Sequence, residues 1–148
     1  MLALNYTQSL LNLQEVIVKK VITTKESTVI DIEMPKKPHI CPCCSCLTSF
    51  VHDYRYQPVK DIPAFGAKII LNYRKRRYVC PHCGKRFSES HPFVPKYHRM
   101  TTRLVAHIFE KLRSEYSFTS VSKELNLSVS TIIRVFDILS VPRPKKLP

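Results

Sequence analysis

The pattern of hydrophobic and polar positions divides the chain into a strand-rich first part and a helical second part. After a short predicted helix over residues 5–13, β-branched runs lie on both sides of the polar residues 23–27, which predicts a hairpin. The patterns of residues 50–56 and 67–79 predict two further strands. Three residues that favour turns mark the connection between those strands: Pro58, Pro63 and Gly66.

From residue 101 onwards the apolar spacing is helical. A stripe at helical spacing predicts a first helix, with Thr101 or Thr102 as its N-cap: Leu104, Val105, Ile108, Phe109 and Leu112. A shorter helix at about 119–125 and a longer one at about 129–139 follow. The last eight residues, 141–148, contain three prolines, so we expect an extended linker there.

The charge is large and unevenly distributed. Lys plus Arg number 24 and Asp plus Glu 11, which gives a formal net charge of +13. Residues 1–35 hold three basic and four acidic residues, whereas residues 36–148 hold 21 basic and seven acidic ones. This excess predicts a polyanionic partner, with nucleic acid the commonest, although basic residues also serve simply to keep a surface solvated.

Composition excludes several function classes. Two glycines are too few for a phosphate-binding loop or a dinucleotide-binding fingerprint. No apolar run is long enough to span a membrane, and the N-terminus lacks the features of a signal peptide, so we expect a cytoplasmic protein. In a reducing compartment, six cysteines indicate metal ligands rather than disulfides.

The cysteines fall into two similar motifs. Cys41 and Cys44, and then Cys80 and Cys83, stand in the frame C-P-x-C, which lets each tight turn direct two thiolates at one ion. We therefore expect one structural Zn²⁺ held by these four residues. Cys43 and Cys46 have the same spacing and are the alternative first pair. An iron site, or buried cysteines without metal, are the other possibilities.

The segment 118–135 has the pattern of a helix-turn-helix. Asn126 occupies the turn, where a left-handed conformation is needed, and Ser128 is placed to cap the second helix. The N-terminal part of that helix would enter the major groove. The residues expected at the DNA bases or phosphates are Ser128, Ser130, Thr131 and Arg134, with Arg134 best suited to guanine.

A second group of cations is expected to contact phosphates: Arg74, Lys75, Arg76, Arg77, Lys85, Arg86, Lys96, Arg99 and Arg103. The alternation along the strand predicts that Arg74 and Arg76 face solvent, opposite Ile69, Leu71 and Tyr73. Each of these cations could instead be a solubilising charge.

The order of motifs resembles the N-terminal part of the ISL3 family of bacterial transposases. The shared features are residues 37–39 before the first C-P-x-C, then Asp61-Ile62-Pro63, then the run from Arg76 to Phe87, then the helix-turn-helix. The resemblance implies a zinc-binding β module, a helix-turn-helix and a following RNase-H-like domain with an Asp-Asp-Glu metal site. The chain stops where that domain would begin, so we expect a truncated or split product that is not itself an enzyme.

The predicted fold class is α+β, a small zinc-ribbon-like β domain followed by an all-α helix-turn-helix domain. We expect a helix and hairpin over 1–35, the zinc-binding domain over 36–92, the helix-turn-helix domain over 98–140 and the linker over 141–148. The predicted partner is double-stranded DNA at the terminal inverted repeats of an insertion sequence in the bacterial nucleoid, with a second copy or an intact transposase as a further partner. A small zinc-containing transcription regulator and a protein-interaction module are the alternatives.

Overall fold

The computed structural model describes residues 11–13, 15–64, 66–94, 99–114 and 116–140. The linker expected over 141–148 and most of the helix expected over 5–13 lie outside these ranges. The architecture is α+β, as predicted, with a mixed sheet followed by three helices. None of the described helices is both long and apolar enough to cross a membrane.

The main sheet has five strands. The predicted hairpin is confirmed as β1 (Ile17–Thr23) and β2 (Ser27–Glu33), which pair antiparallel. Strand β2 then lies parallel to β6 (Ala67–Val79), which pairs antiparallel with β5 (Val51–Ala64). The order is therefore β1-β2-β6-β5, and β7 (Arg86–Ser88) also pairs with β6. A separate two-stranded sheet joins β3 (His39–Ile40) to β4 (Leu47–Thr48). The hairpin and the long ribbon β5–β6 therefore share one sheet.

Strand β5 (Val51–Ala64) is longer than its sequence predicts. The prediction that Pro58 and Pro63 mark turns is wrong, because both prolines lie inside this strand. Strand β5 is an edge strand of the sheet. At an edge, the N–H groups that point away from the neighbouring strand need no partner, so proline, which lacks an N–H group, is tolerated there. The pairing also shifts register between Asp61 and Ala64. Of the three predicted turn residues, Gly66 alone lies in the turn, with a φ of +74°.

The ribbon buries opposite faces in its two halves. In the first half of β6, the odd-numbered Leu71 and Tyr73 are buried in a core with Ile32 of β2 and with Phe93. In the second half, the even-numbered positions 76 and 78 are buried instead. The Tyr78 ring lies 4.6 Å from the His39 ring beside the cysteine cluster, so a different part of the chain covers this face. Arg76 consequently faces the interior.

The three predicted helices are confirmed as α1 (Thr102–Arg113), α2 (Phe118–Leu125) and α3 (Val129–Ser140). Thr101 caps α1 by accepting a hydrogen bond from the Leu104 backbone N–H. A second core joins the helices, and its buried members are Met100, Leu104, Ile108, Val121, Leu125, Leu127, Ile132 and Val135. The helices thus form a unit with its own core.

A compact junction connects the helical unit to β5. Thr101 donates its backbone N–H to the Lys60 carbonyl at 2.9 Å, and Lys60 donates to the Arg99 carbonyl at 2.9 Å. The buried Asp61 carboxylate accepts from the Thr101 hydroxyl at 2.8 Å and from Arg103 Nε at 2.7 Å. Asp61 therefore links the sheet to the first turn of α1.

Candidate metal centre and nucleic-acid interface

The structure brings together the four cysteines of the two C-P-x-C motifs. The Sγ atoms of Cys41, Cys44, Cys80 and Cys83 all lie within 4.8 Å of one another. The Sγ atoms are 3.5 Å apart in the pair Cys41–Cys83 and 3.5 Å apart in the pair Cys44–Cys80. A tetrahedral zinc site with bonds of about 2.3 Å requires sulfur separations of about 3.8 Å. The cluster fits a zinc ion.

The two knuckles have the same backbone geometry. Cys41 donates its N–H to the Cys46 carbonyl at 2.9 Å, and Cys80 donates to the Lys85 carbonyl at 2.9 Å. The residue after each second cysteine is left-handed, with φ of +61° at Ser45 and +74° at Gly84. Glycine adopts this conformation without strain, whereas serine adopts it at some cost. The first knuckle thus has the same shape as the second despite its less favourable residue.

Backbone N–H groups favour the thiolate form of one sulfur in each knuckle. The Cys44 N–H lowers the pKa of the Cys41 thiol to about 6, and the Cys43 N–H adds a bond of 3.4 Å to the same sulfur. In the second knuckle, the Cys83 N–H lowers the pKa of Cys80. Thiolates are the form that binds metal, so these bonds prepare the cluster for a cation.

The alternative pair, Cys43 and Cys46, lies outside the cluster formed by the described residues. Cys43 is exposed, and Cys46 is half-buried. His82 is exposed on the second knuckle and is also outside the cluster. The geometry therefore favours the ligand set in which each pair begins with a Cys-Pro dipeptide: Cys41, Cys44, Cys80 and Cys83.

The cations predicted to contact phosphates occupy very different environments. Arg74 on the ribbon lies over the Tyr54 ring at 3.8 Å and 3.5 Å from the Glu33 carboxylate, and its side chain is 40% exposed. Arg77 pairs with Asp53 at 3.1 Å. Lys75 is half-buried, and the exposed members of the set are Lys85, Arg86 and Arg99. Lys96 lies outside the described residues.

Two of the predicted cations are committed to internal carboxylates. Arg76 is 6% exposed, and its guanidinium lies 3.5 Å from Glu89 and 3.8 Å from Glu33. The prediction that it faces solvent is wrong, because the even face of β6 is covered at this end. Arg103 forms a two-point ion pair with Asp61 at the junction. Neither guanidinium is presented freely to a ligand.

The turn of the helix-turn-helix has the predicted geometry. Asn126 is left-handed, with a φ of +52°. The Ser128 hydroxyl caps α3 by accepting from the Thr131 N–H at 3.2 Å, and it also contacts the Thr131 hydroxyl at 2.7 Å. This cap fixes where α3 begins.

The outward face of α3 is defined by burial. Ile132 and Val135 are 0% and 2% exposed and face the core. The opposite face is a stripe of exposed residues that we call the outer stripe: Val129, Ser130, Ile133, Arg134 and Asp137. Ser130 and Arg134 were predicted, but the apolar members Val129 and Ile133 were missed, because only polar residues were considered for the exposed face. The helical period would have found them, since Ile133 is about 100° around the helix from the buried Ile132.

Two segments of the chain match known protein families. Residues 37–85 match the zinc-finger of transposase IS204/IS1001/IS1096/IS1165. Residues 89–137 match the helix-turn-helix domain of transposase family ISL3. The chain therefore carries the zinc-finger and helix-turn-helix modules of ISL3 transposases, at residues 37–85 and 89–137.

One curated relative adds to this result. The transposase for insertion sequence element IS1001 of Bordetella parapertussis is 30% identical over 78 residues, which are 53% of this chain and 19% of the relative. The aligned part therefore spans about a fifth of that protein. No solved structure matches the chain.

Charge is divided unequally between the two ISL3 modules. The zinc-finger match, residues 37–85, holds nine basic and two acidic residues, whereas the helix-turn-helix match, residues 89–137, holds seven basic and five acidic ones. The zinc-finger module is therefore the stronger attractor of a polyanion. The helix-turn-helix module, which carries the outer stripe, is closer to neutral.

Proposed function

We propose that this chain binds duplex DNA at the terminal inverted repeats of an insertion sequence. The observation that carries the proposal is the outer stripe of α3, which presents Arg134 and Ser130 to solvent from a helix with a well-defined start, in a module of the ISL3 transposases. A helix presented in this way is suited to the major groove. Arg134 is then placed to donate two hydrogen bonds to a guanine edge.

The zinc-finger module supplies the phosphate contacts in this proposal. Its exposed and partly exposed cations lie on the ribbon and at the second knuckle, and Arg99 lies at the junction. The proposed phosphate contacts are Arg74, Lys75, Lys85, Arg86 and Arg99. Arg76 and Arg103 are left out because buried carboxylates pair with their guanidinium groups, and Arg77 is left out because it pairs with Asp53. Arg74 also lies 3.5 Å from Glu33 but keeps 40% of its side chain exposed.

We further propose that one zinc ion per chain is bound by Cys41, Cys44, Cys80 and Cys83. Four thiolates complete a tetrahedral site and leave no position for water or substrate, so the ion acts as a cross-link. It joins the knuckle that precedes β5 to the knuckle that follows β6. The role of the metal is therefore to fix the cationic surface rather than to perform chemistry.

Within a transposase, the proposed contribution of these modules is to bind the DNA ends. Both family matches fall on the zinc finger and the helix-turn-helix, which supports binding rather than strand chemistry for this chain. The corresponding partners would be duplex DNA and an intact transposase that acts on the same ends.

The proposal is tested by binding of the zinc-loaded chain to a labelled duplex that carries the inverted repeats flanking its gene. The expected result is an affinity at least tenfold higher than for a shuffled duplex of the same composition. Arg134→Met should reduce this preference by about tenfold, the value of one guanine contact. Arg113→Met is the matched control, because Arg113 is exposed on α1 and pairs only loosely with Glu110 at 3.7 Å.

Equal affinity for the two duplexes would overturn inverted-repeat recognition. Preference for a promoter sequence near the gene would favour the transcription regulator instead.

A further inference from the structure

The outer stripe has an apolar half that base-edge hydrogen bonds do not explain. Val129 is 38% exposed and Ile133 is 40% exposed, although both are large apolar side chains. They stand four residues apart on α3 and therefore lie on the same side of the helix. Arg134 is next to Ile133, and Ser130 is next to Val129. The stripe is thus apolar along one edge and polar along the other.

A major groove offers one apolar group to such an edge. The 5-methyl group of thymine projects there, whereas guanine, cytosine and adenine present only donors and acceptors. The net charge of +13 and the ISL3 helix-turn-helix match favour DNA over a second protein as the occupant of this face.

We propose that Val129 and Ile133 contact thymine methyl groups in the bound sequence, beside the guanine contacted by Arg134. This inference rests on the proposed function and adds to it the class of base that the helix selects. Four residues of helix rise by about 6 Å. Successive base pairs are about 3.4 Å apart, so the two side chains reach methyl groups within about two steps of each other. The preferred site therefore contains thymines close to a guanine.

The experiment removes the methyl group from the DNA. The zinc-loaded chain is first used to select its preferred binding sites from a random duplex library. Each thymine of the site with the highest affinity is then replaced, one at a time, by deoxyuridine. Loss of one buried methyl group is expected to lower affinity by about fourfold. We expect this loss at one or two thymines next to a selected guanine, and close to none at the other thymines.

Variants assign the loss to the side chains. Ile133→Ala should bind the thymine and deoxyuridine forms equally at one of those positions, and Val129→Ala should do so at the other. Ile138→Ala is the matched control: Ile138 is 54% exposed on the same helix but lies about 7.5 Å further toward its C-terminus than Ile133, away from the end expected at the bases. It should keep the full fourfold discrimination. Thermal unfolding of each variant checks that the fold is unchanged, as expected for exposed positions.

The outcomes separate this inference from the proposed function. Specific sites with no sensitivity to deoxyuridine overturn the thymine contact but leave DNA recognition standing. Sensitivity that persists in both Ile133→Ala and Val129→Ala also overturns it. If the library yields no preferred site, specific DNA recognition fails and the inference fails with it, and a protein partner becomes the alternative occupant of the stripe.

Discussion

Asp61 is expected to hold the helical unit in place against the sheet. Its carboxylate accepts from the Ile62 N–H at 2.8 Å, from the Thr101 hydroxyl at 2.8 Å and from both Nε and Nη2 of Arg103. The Asp61 side chain is 2% exposed and that of Arg103 is 32% exposed. Replacing Asp61 therefore leaves a partly buried guanidinium without its counter-charge.

The magnitude follows from this burial. Removing one partner of a fully buried ion pair costs about 3–5 kcal/mol. Solvent reaches Arg103, and an asparagine still accepts from Thr101, so Asp61→Asn should cost about 2 kcal/mol of unfolding free energy. For a chain of 148 residues this lowers the unfolding midpoint by about 6 °C.

The assay is thermal unfolding of the zinc-loaded chain followed by circular dichroism. Asp53→Asn is the matched control, because Asp53 pairs with Arg77 at a more exposed position and should cost less than about 1 kcal/mol. Adding Arg103→Met to Asp61→Asn should recover at least half of the loss, since no unpaired charge remains. Equal midpoints for Asp61→Asn and the wild-type chain would refute the reasoning.

Three further predictions concern the turn and the metal site. Asn126→Gly should unfold in urea as the wild type does, whereas Asn126→Val should lose about 1–2 kcal/mol because its backbone is left-handed. Native mass spectrometry should show zinc lost in Cys80→Ser and kept in Cys46→Ser; the reverse pattern would reject the ligand set. Zinc affinity, measured against a chelator, should fall as the pH drops from 8 to 5. The reason is that zinc must displace the protons of all four thiols: the pKa values of Cys44 and Cys83 are raised by burial and neighbouring sulfurs, so these thiols compete over the whole range, and Cys41, with its pKa lowered to about 6, adds to the loss below pH 6; a constant affinity would contradict this.

Local features of the fold were predictable from the sequence. The C-P-x-C spacing, the Thr101 cap and the left-handed Asn126 each depend on a few consecutive residues, and each has the predicted geometry. The start of α3 at Ser128 was predictable for the same reason.

Features that depend on distant residues were not predictable. Alternation along β6 assigns its side chains to two faces. It does not show that the buried face changes from one side of the strand to the other between Tyr73 and Arg76. The prolines of β5 were assigned to turns because proline is excluded from central strands. That β5 is an edge strand depends on the order of the whole sheet, which the local sequence does not show. Likewise, Asp61 and Arg103 are 42 residues apart, and their contact exists only when α1 packs against β5.

A cationic surface braced by a zinc site is proposed to bind duplex DNA. The most direct measurement is the affinity of the zinc-loaded chain for the inverted-repeat duplex across a tenfold range of potassium chloride concentration. Five proposed phosphate contacts predict a slope of about −4.5 in log affinity against log salt. Affinity that stays constant over this range, or no binding at the lowest salt concentration, would contradict the account.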